Sequence, residues 1–146
     1  DMKRRIIFAL LALLLPLFAL AQKGLHANAA FTGQIVPQDQ TVEVKVRGKA
    51  LSTYRLTFYH SVRFKANAQQ KTTMDNLVTQ DKAQATGTEL RRKGHTSSLI
   101  LCLPPQGRTH RYLCYLTNRS KDHWSITLVY MEGSVSSIDE LRKLIK

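Results

Sequence analysis

The sequence is short of acid, cysteine and catalytic signatures. Ten Asp and Glu residues stand against 22 Lys and Arg, a formal net charge of +12 at pH 7. No P-loop and no G-x-S-x-G elbow is present, so neither phosphate cradling nor a serine nucleophile has its usual motif. The seven glycines are isolated, as turn glycines are. The five histidines (His26, His60, His95, His110 and His123) show neither H-x-x-H nor H-E-x-x-H spacing, so a metal site has to be assembled by tertiary structure alone. No cofactor motif, internal repeat or low-complexity tract is evident, and no apolar run after residue 20 is long enough to span a bilayer.

The N-terminus carries what the rest lacks. After Asp1 and Met2, the cations Lys3, Arg4 and Arg5 precede an apolar run of fifteen residues from Ile6 to Leu20, with Pro16 near its end. Ala19 and Ala21 then occupy the −3 and −1 positions of a small-residue cleavage site before Gln22. This is the layout of a secretory signal peptide over residues 2–21. The rival reading, a membrane anchor, asks for about 20 apolar residues. Ala27-Asn28-Ala29 is a second small-residue site, so the mature chain is expected to begin at Gln22 or Ala30. Residues 22–146 have the length of a single domain.

Export reframes charge and thiols. Without the signal peptide, 19 basic residues face 9 acidic ones, a formal charge of +10. Outside the cytosol that charge points away from nucleic acid and towards anionic glycans or lipid headgroups of an envelope. The scatter of the basic residues also fits a soluble domain with no specific partner, Arg91-Arg92-Lys93 being the one triplet. Cys102 and Cys114 are an even pair in an oxidising compartment and a candidate disulfide, worth about 3 kcal/mol in the chain-entropy model. Two buried thiols are the alternative. His110 and Cys114 share a strand face at i,i+4, but about 13 Å apart. Cys102 meets a histidine only if the hairpin register brings His110 across.

Periodicity supplies the architecture. Val42, Val44 and Val46 alternate with polar residues, and so do Leu56, Phe58, Val62 and Phe64. Asn67 caps a helix predicted over 67–83, whose weak apolar face marks it as peripheral. Thr88–Lys93 reads as a charged edge strand. Leu99–Leu103 and Tyr112–Leu116 are apolar on both faces, joined through Pro104-Pro105-Gln106-Gly107. Trp124, Ile126, Leu128 and Tyr130 form the last strand. Ser137 and Glu140 make a capping box for a C-terminal helix with acids at its start and bases at its end. The expectation is an α+β domain: a mostly antiparallel sheet of about five strands with two helices on one face.

Two stretches carry a resemblance: Ala50–Phe58 leading into Ser61–Phe64, and Tyr130–Val135 leading into Asp139–Leu141. With the signal peptide, they resemble small exported Bacteroidetes proteins of a domain-of-unknown-function family. The resemblance implies a bacterial cell-envelope setting and an α+β fold; it brings no site residue. From the residues, the expected role is a non-enzymatic module, periplasmic, outer-membrane-associated or secreted, that binds a protein or an anionic envelope component. A thiol-dependent enzyme and a structural or assembly subunit are the alternatives. Tyr54, Tyr59, Tyr112, Tyr115, Tyr130 and Trp124 are candidates for an aromatic platform, with core packing as the competing fate.

Overall fold

A computed structural model describes Gln22 and residues 24–145 of the chain; the expected signal peptide, residues 2–21, lies outside them. Every stretch expected to be extended is a strand: β1 (Val42–Arg47), β2 (Leu56–Ala66), β3 (Gly87–Lys93), β4 (Thr96–Gln106), β5 (Thr109–Arg119) and β6 (Trp124–Gly133). Helix α1 (Ala68–Lys82) joins β2 to β3, and α2 (Ile138–Ile145) follows β6. Short 3-10 helices span His26–Ala30, Gln38–Gln40 and Lys49–Tyr54. The strands form one antiparallel sheet in the order β1-β2-β6-β5-β4-β3. The described residues therefore hold six strands rather than about five: the charged Thr88–Lys93 stretch completes the count by pairing along β4.

The helices also sit differently from the expectation. They lie on opposite faces, as the parity of β6 shows. Ile126, Leu128 and Tyr130 pack with Met74 and Val78 of α1, whereas Val129 and Met131 pack with Ile138 and Leu141 of α2. β5 and β6, apolar on both sides, thus need a cover on each face, and one helix supplies each. The reading of α1 as peripheral is corrected likewise. Its apolar stripe is narrow, but Met74 and Val78 are fully buried, each stabilising the fold by about 1.5–3 kcal/mol. An Asn67–Gln70 capping box starts it. At α2 the Ser137 hydroxyl accepts from the Glu140 amide, while the Glu140 carboxylate bonds the Ser136 amide and hydroxyl instead of closing the box on Ser137.

The predicted turn at Pro104-Pro105 is a bulge. β4 runs on to Gln106, the register slipping between Leu103 and Gln106 where two residues lack an N–H, and the chain reverses at Gly107-Arg108. Two contacts then lock the sheet to its surroundings. The buried Tyr112 hydroxyl donates to the Val135 carbonyl at 2.5 Å, tying β5 to the segment before α2. At Gly133 any Cβ would run into the Arg55 carbonyl and Leu56 backbone, so a glycine is required where the end of β6 meets the start of β2.

The N-terminal segment is held by one carboxylate. Asp81, 2% exposed at the end of α1, accepts from the His26 and Ala27 amides at 2.7 and 2.8 Å and meets His26 Nδ1 at 3.1 Å. It acts as the cap that the His26–Ala30 helix does not supply for itself, and so presses Ala27, Ala30 and Phe31 into the α1-side core. Phe31 in turn stacks on the buried His60 at 4.2 Å. Burial holds the His60 imidazole below its ordinary pKa, against the opposing pull of Glu43 at 3.5 Å. Asp81→Ala leaves the buried Ala27 amide and the part-buried His26 amide without an acceptor and should lower stability by about 1–3 kcal/mol. Thermal unfolding reads this as a drop of several degrees, with Asp81→Asn intermediate; an unshifted melt for Asp81→Ala means the carboxylate is not holding the segment.

Candidate functional site

The α1 face of the sheet is incompletely filled at one end. Across the strands, cross-strand neighbours run Leu90–Leu99–Tyr115 in one row and Arg92–Ser97–Thr117 in the next, with Arg119 opposite Trp124 beyond them. α1 stands over these rows as a wall. Between wall and floor lies a groove of about 470 Å³, bordered at one end by Gly94 and His95 of the β3–β4 turn. That turn is fixed by the Arg119 amide, which donates to the His95 carbonyl at 3.0 Å.

Charge in the groove is one-sided. Lys71 and Lys82 project from α1, Arg92 and Arg119 from the sheet, and among the described residues Asp75 is the groove's one carboxylate. Asp75 is already satisfied: Lys71 Nζ donates to both its oxygens at 2.7 Å and the Tyr115 hydroxyl to Oδ1 at 2.8 Å. Burial first, then Asp75, holds the Tyr115 phenol protonated far above its ordinary range. Half-buried Trp124 organises the cations, with Lys71 Nζ 4.6 Å and the Arg119 guanidinium 5.6 Å from its ring centre. Each such contact is worth about 0.5–1 kcal/mol at a partly exposed site. The result is a net positive charge around a concave surface, with Lys71 partly buried and Lys82, Arg92 and Arg119 exposed, chemistry suited to an anion.

The residues singled out in the sequence scatter over the fold. Tyr112 lies under α2, Tyr130 is buried in the α1-side core, Tyr54 is exposed and Tyr59 half-buried near the first hairpin. They form no continuous platform; only Tyr115 and Trp124 meet in the groove. Of the Arg91-Arg92-Lys93 triplet, strand alternation sends Arg92 alone into it. Lys71 and Asp75 were not singled out. Their signal was an i,i+4 pair on the helix with the weak apolar face, which reads equally as a solvated surface pair.

The thiols do not pair. Register places Cys102 opposite Tyr112 and Cys114 opposite Ile100, one step apart along the ladder, and both cysteines are free. Diagonal neighbours of this kind lie about 7–8 Å apart, with Cβ atoms somewhat closer, beyond the roughly 4 Å between Cβ atoms that a disulfide needs. Burial pushes the Cys114 thiol up to about 12. Cys102 is partly exposed and borders a shallow groove beside Ser137 and Asp139. His110 pairs with Gly133 of β6 and reaches neither sulfur by a hydrogen bond. Among the described residues no three His, Cys, Asp or Glu side chains group as metal ligands, and no helix is long and apolar enough to cross a membrane.

Fold and groove define a six-stranded antiparallel α+β domain with a basic, tryptophan-centred cleft. Over residues 14–145 the chain matches the model of a family of unknown function (DUF6108), and it belongs to that family. No curated protein and no solved structure matches it. The thiol geometry makes its own prediction: a charged thiol reagent should modify one cysteine, Cys102, in the folded protein and the second only after denaturation. Peptide mapping of the label checks this, and rapid native labelling of Cys114 contradicts the burial described.

Proposed function

We propose that the protein is a non-enzymatic, exported binding module whose groove between α1 and strands β3–β5 takes the phosphate or carboxylate of an anionic envelope glycan or lipid headgroup. The observation that carries the reading is the Lys71–Trp124–Arg119 arrangement, in which one indole holds cations from two elements at the mouth of a concave surface. Lys82 and Arg92 add to the positive field; Asp75, ion-paired with Lys71, offsets one of the groove's four cations and leaves the balance positive. Ser97 and Thr117 on the floor offer hydroxyls of the kind that orient a polar headgroup. A bacterial setting and export rest on residues 2–21 and on the stretches quoted for the resemblance. The thiol-dependent reading has little to stand on, since Cys114 is held protonated and neither thiol has a histidine partner.

The mature chain of this module begins at Gln22. That start keeps Ala27, fully buried, and the two amides that Asp81 holds. It also keeps the Gln22 side chain, which bonds His60 Nδ1 at 2.9 Å. Cleavage after Ala29 would discard all of these. N-terminal sequencing of the exported protein should read from Gln22; a chain starting at Ala30 overturns this part of the proposal.

Trp124 is the only tryptophan of the chain, so intrinsic fluorescence reports on the groove directly. Titration with a sugar phosphate and with vesicles of anionic lipid should change its emission saturably, while zwitterionic vesicles leave it unchanged. Affinity should fall steeply between 0.05 and about 0.5 M salt as screening shortens to a few ångströms. Lys82→Glu and Arg92→Glu should each weaken binding about tenfold at low salt, the scale of one charge-assisted contact turned into a repulsion. Unchanged emission with every anion, or wild-type affinity in both charge reversals, rejects the groove as the binding site.

A further inference from the structure

The two edges of the sheet are built differently. β3 ends in three consecutive cations, Arg91, Arg92 and Lys93, and its carboxylate, Glu89, is already engaged by Arg142 at 2.7 Å. Accumulated like charge of this kind guards an edge against further pairing. β1 is bonded to β2 on one side only. Its valines face the side of the sheet that α2 covers just in part, and Val42 and Val44 are 67% and 44% exposed.

β1 is also self-complementary. Residues directly opposite one another in an antiparallel ladder lie on one face of the sheet, so two copies related by a two-fold axis align residues of equal parity. Centring the axis on Val44 sets Val42 against the second copy's Val46 and Val44 against Val44, a continuous valine stripe. On the other face the same register sets Glu43 against Lys45, twice by symmetry. The alternative centre, Lys45, brings the two Lys45 ammonium groups together and is disfavoured. The backbone phase agrees. The Gly48 amide donates to the Thr57 carbonyl of β2, so alternation directs the amides and carbonyls of Glu43, Lys45 and Arg47 to the open edge.

We propose that β1 is the interface for a second copy of this chain, the two sheets joining edge to edge through β1 in the register centred on Val44. The groove lies at the opposite end of the sheet, so each dimer presents two basic clefts pointing away from the seam.

Sedimentation velocity over a concentration series, on the mature protein, reads the association. A concentration-dependent dimer is expected, with no larger species. Glu43→Lys and Lys45→Glu should each weaken it about tenfold, because two opposite-charge pairs become like-charge pairs. The double variant Glu43→Lys/Lys45→Glu should restore it, since the swap re-creates both pairs across the axis. Lys45→Pro removes an edge-directed N–H outside the β1–β2 ladder and should give a monomer whose melting is close to wild type. A monomer at the highest soluble concentration overturns the proposal. So does a double variant no tighter than either single, or growth into larger species, which would place the contact between β1 and β3.

Discussion

The pairing of β2 with β6 is the constraint on which the rest of the structure depends. β1 and β2 form one hairpin early in the chain, and β3, β4 and β5 form a meander later; α1 between them pairs with neither. β6 is the strand that enters between β2 and β5, in one register with β2 from Phe58–Glu132 to Ala66–Trp124, the register slipping before Leu56–Gly133. Burying a central strand on both faces is what forces a helix onto each side, so the placement of α1 and α2 follows from it. The close approach of Gly133 to Arg55 and Leu56, with Arg55 left-handed at φ 57°, shows how tightly the last residues of that pairing are fitted.

The same strand sets the groove. Trp124 is the first residue of β6, opposite Ala66 on one side and Arg119 on the other. Ala66 leads directly into Asn67 and α1, so the turn that starts the helix and the ring that holds Lys71 are separated by one rung of the ladder. The groove is thus a consequence of how α1 leaves β2: the helix crosses over β6 and β5 and leaves the Leu90–Leu99 end of the floor open. A longer apolar stripe on α1 would have filled that space; Thr79 and Lys82 occupy its wall instead.

Much of this was legible beforehand where local physics decides the outcome. Alternation placed β1, β2 and β6, runs apolar on both faces placed β4 and β5, Asn67 started α1, and Ser137 started α2, because pleat and capping act within a few residues. The faces were not legible. Both helices carry short apolar stripes, and only the parity of Val129 and Met131 against Ile126 and Leu128 assigns them to opposite sides. The weak amphipathicity of α1 misled for a definite reason: Asp81, a charged residue that lowers the apolar pattern, is buried as an acceptor for two amides more than fifty residues away. The Cys102–Cys114 pairing turned on a register that neither apolar run specifies. Of the site, Trp124, Tyr115 and Arg92 were visible as residue types, while their convergence with Lys71 and Arg119 is purely tertiary.

The central claim is that a scattered +10 charge becomes a specific site where Trp124 gathers it. The most direct measurement is a two-dimensional proton–nitrogen NMR titration of the mature protein with a sugar phosphate. Localised shifts are expected at the Trp124 indole N–H and at the amides of Arg92, His95, Thr117 and Arg119, saturating together with one affinity. Small, unsaturable shifts spread over all the basic residues, β1 and the β3 edge included, would contradict the account and leave the charge as a property of the whole surface.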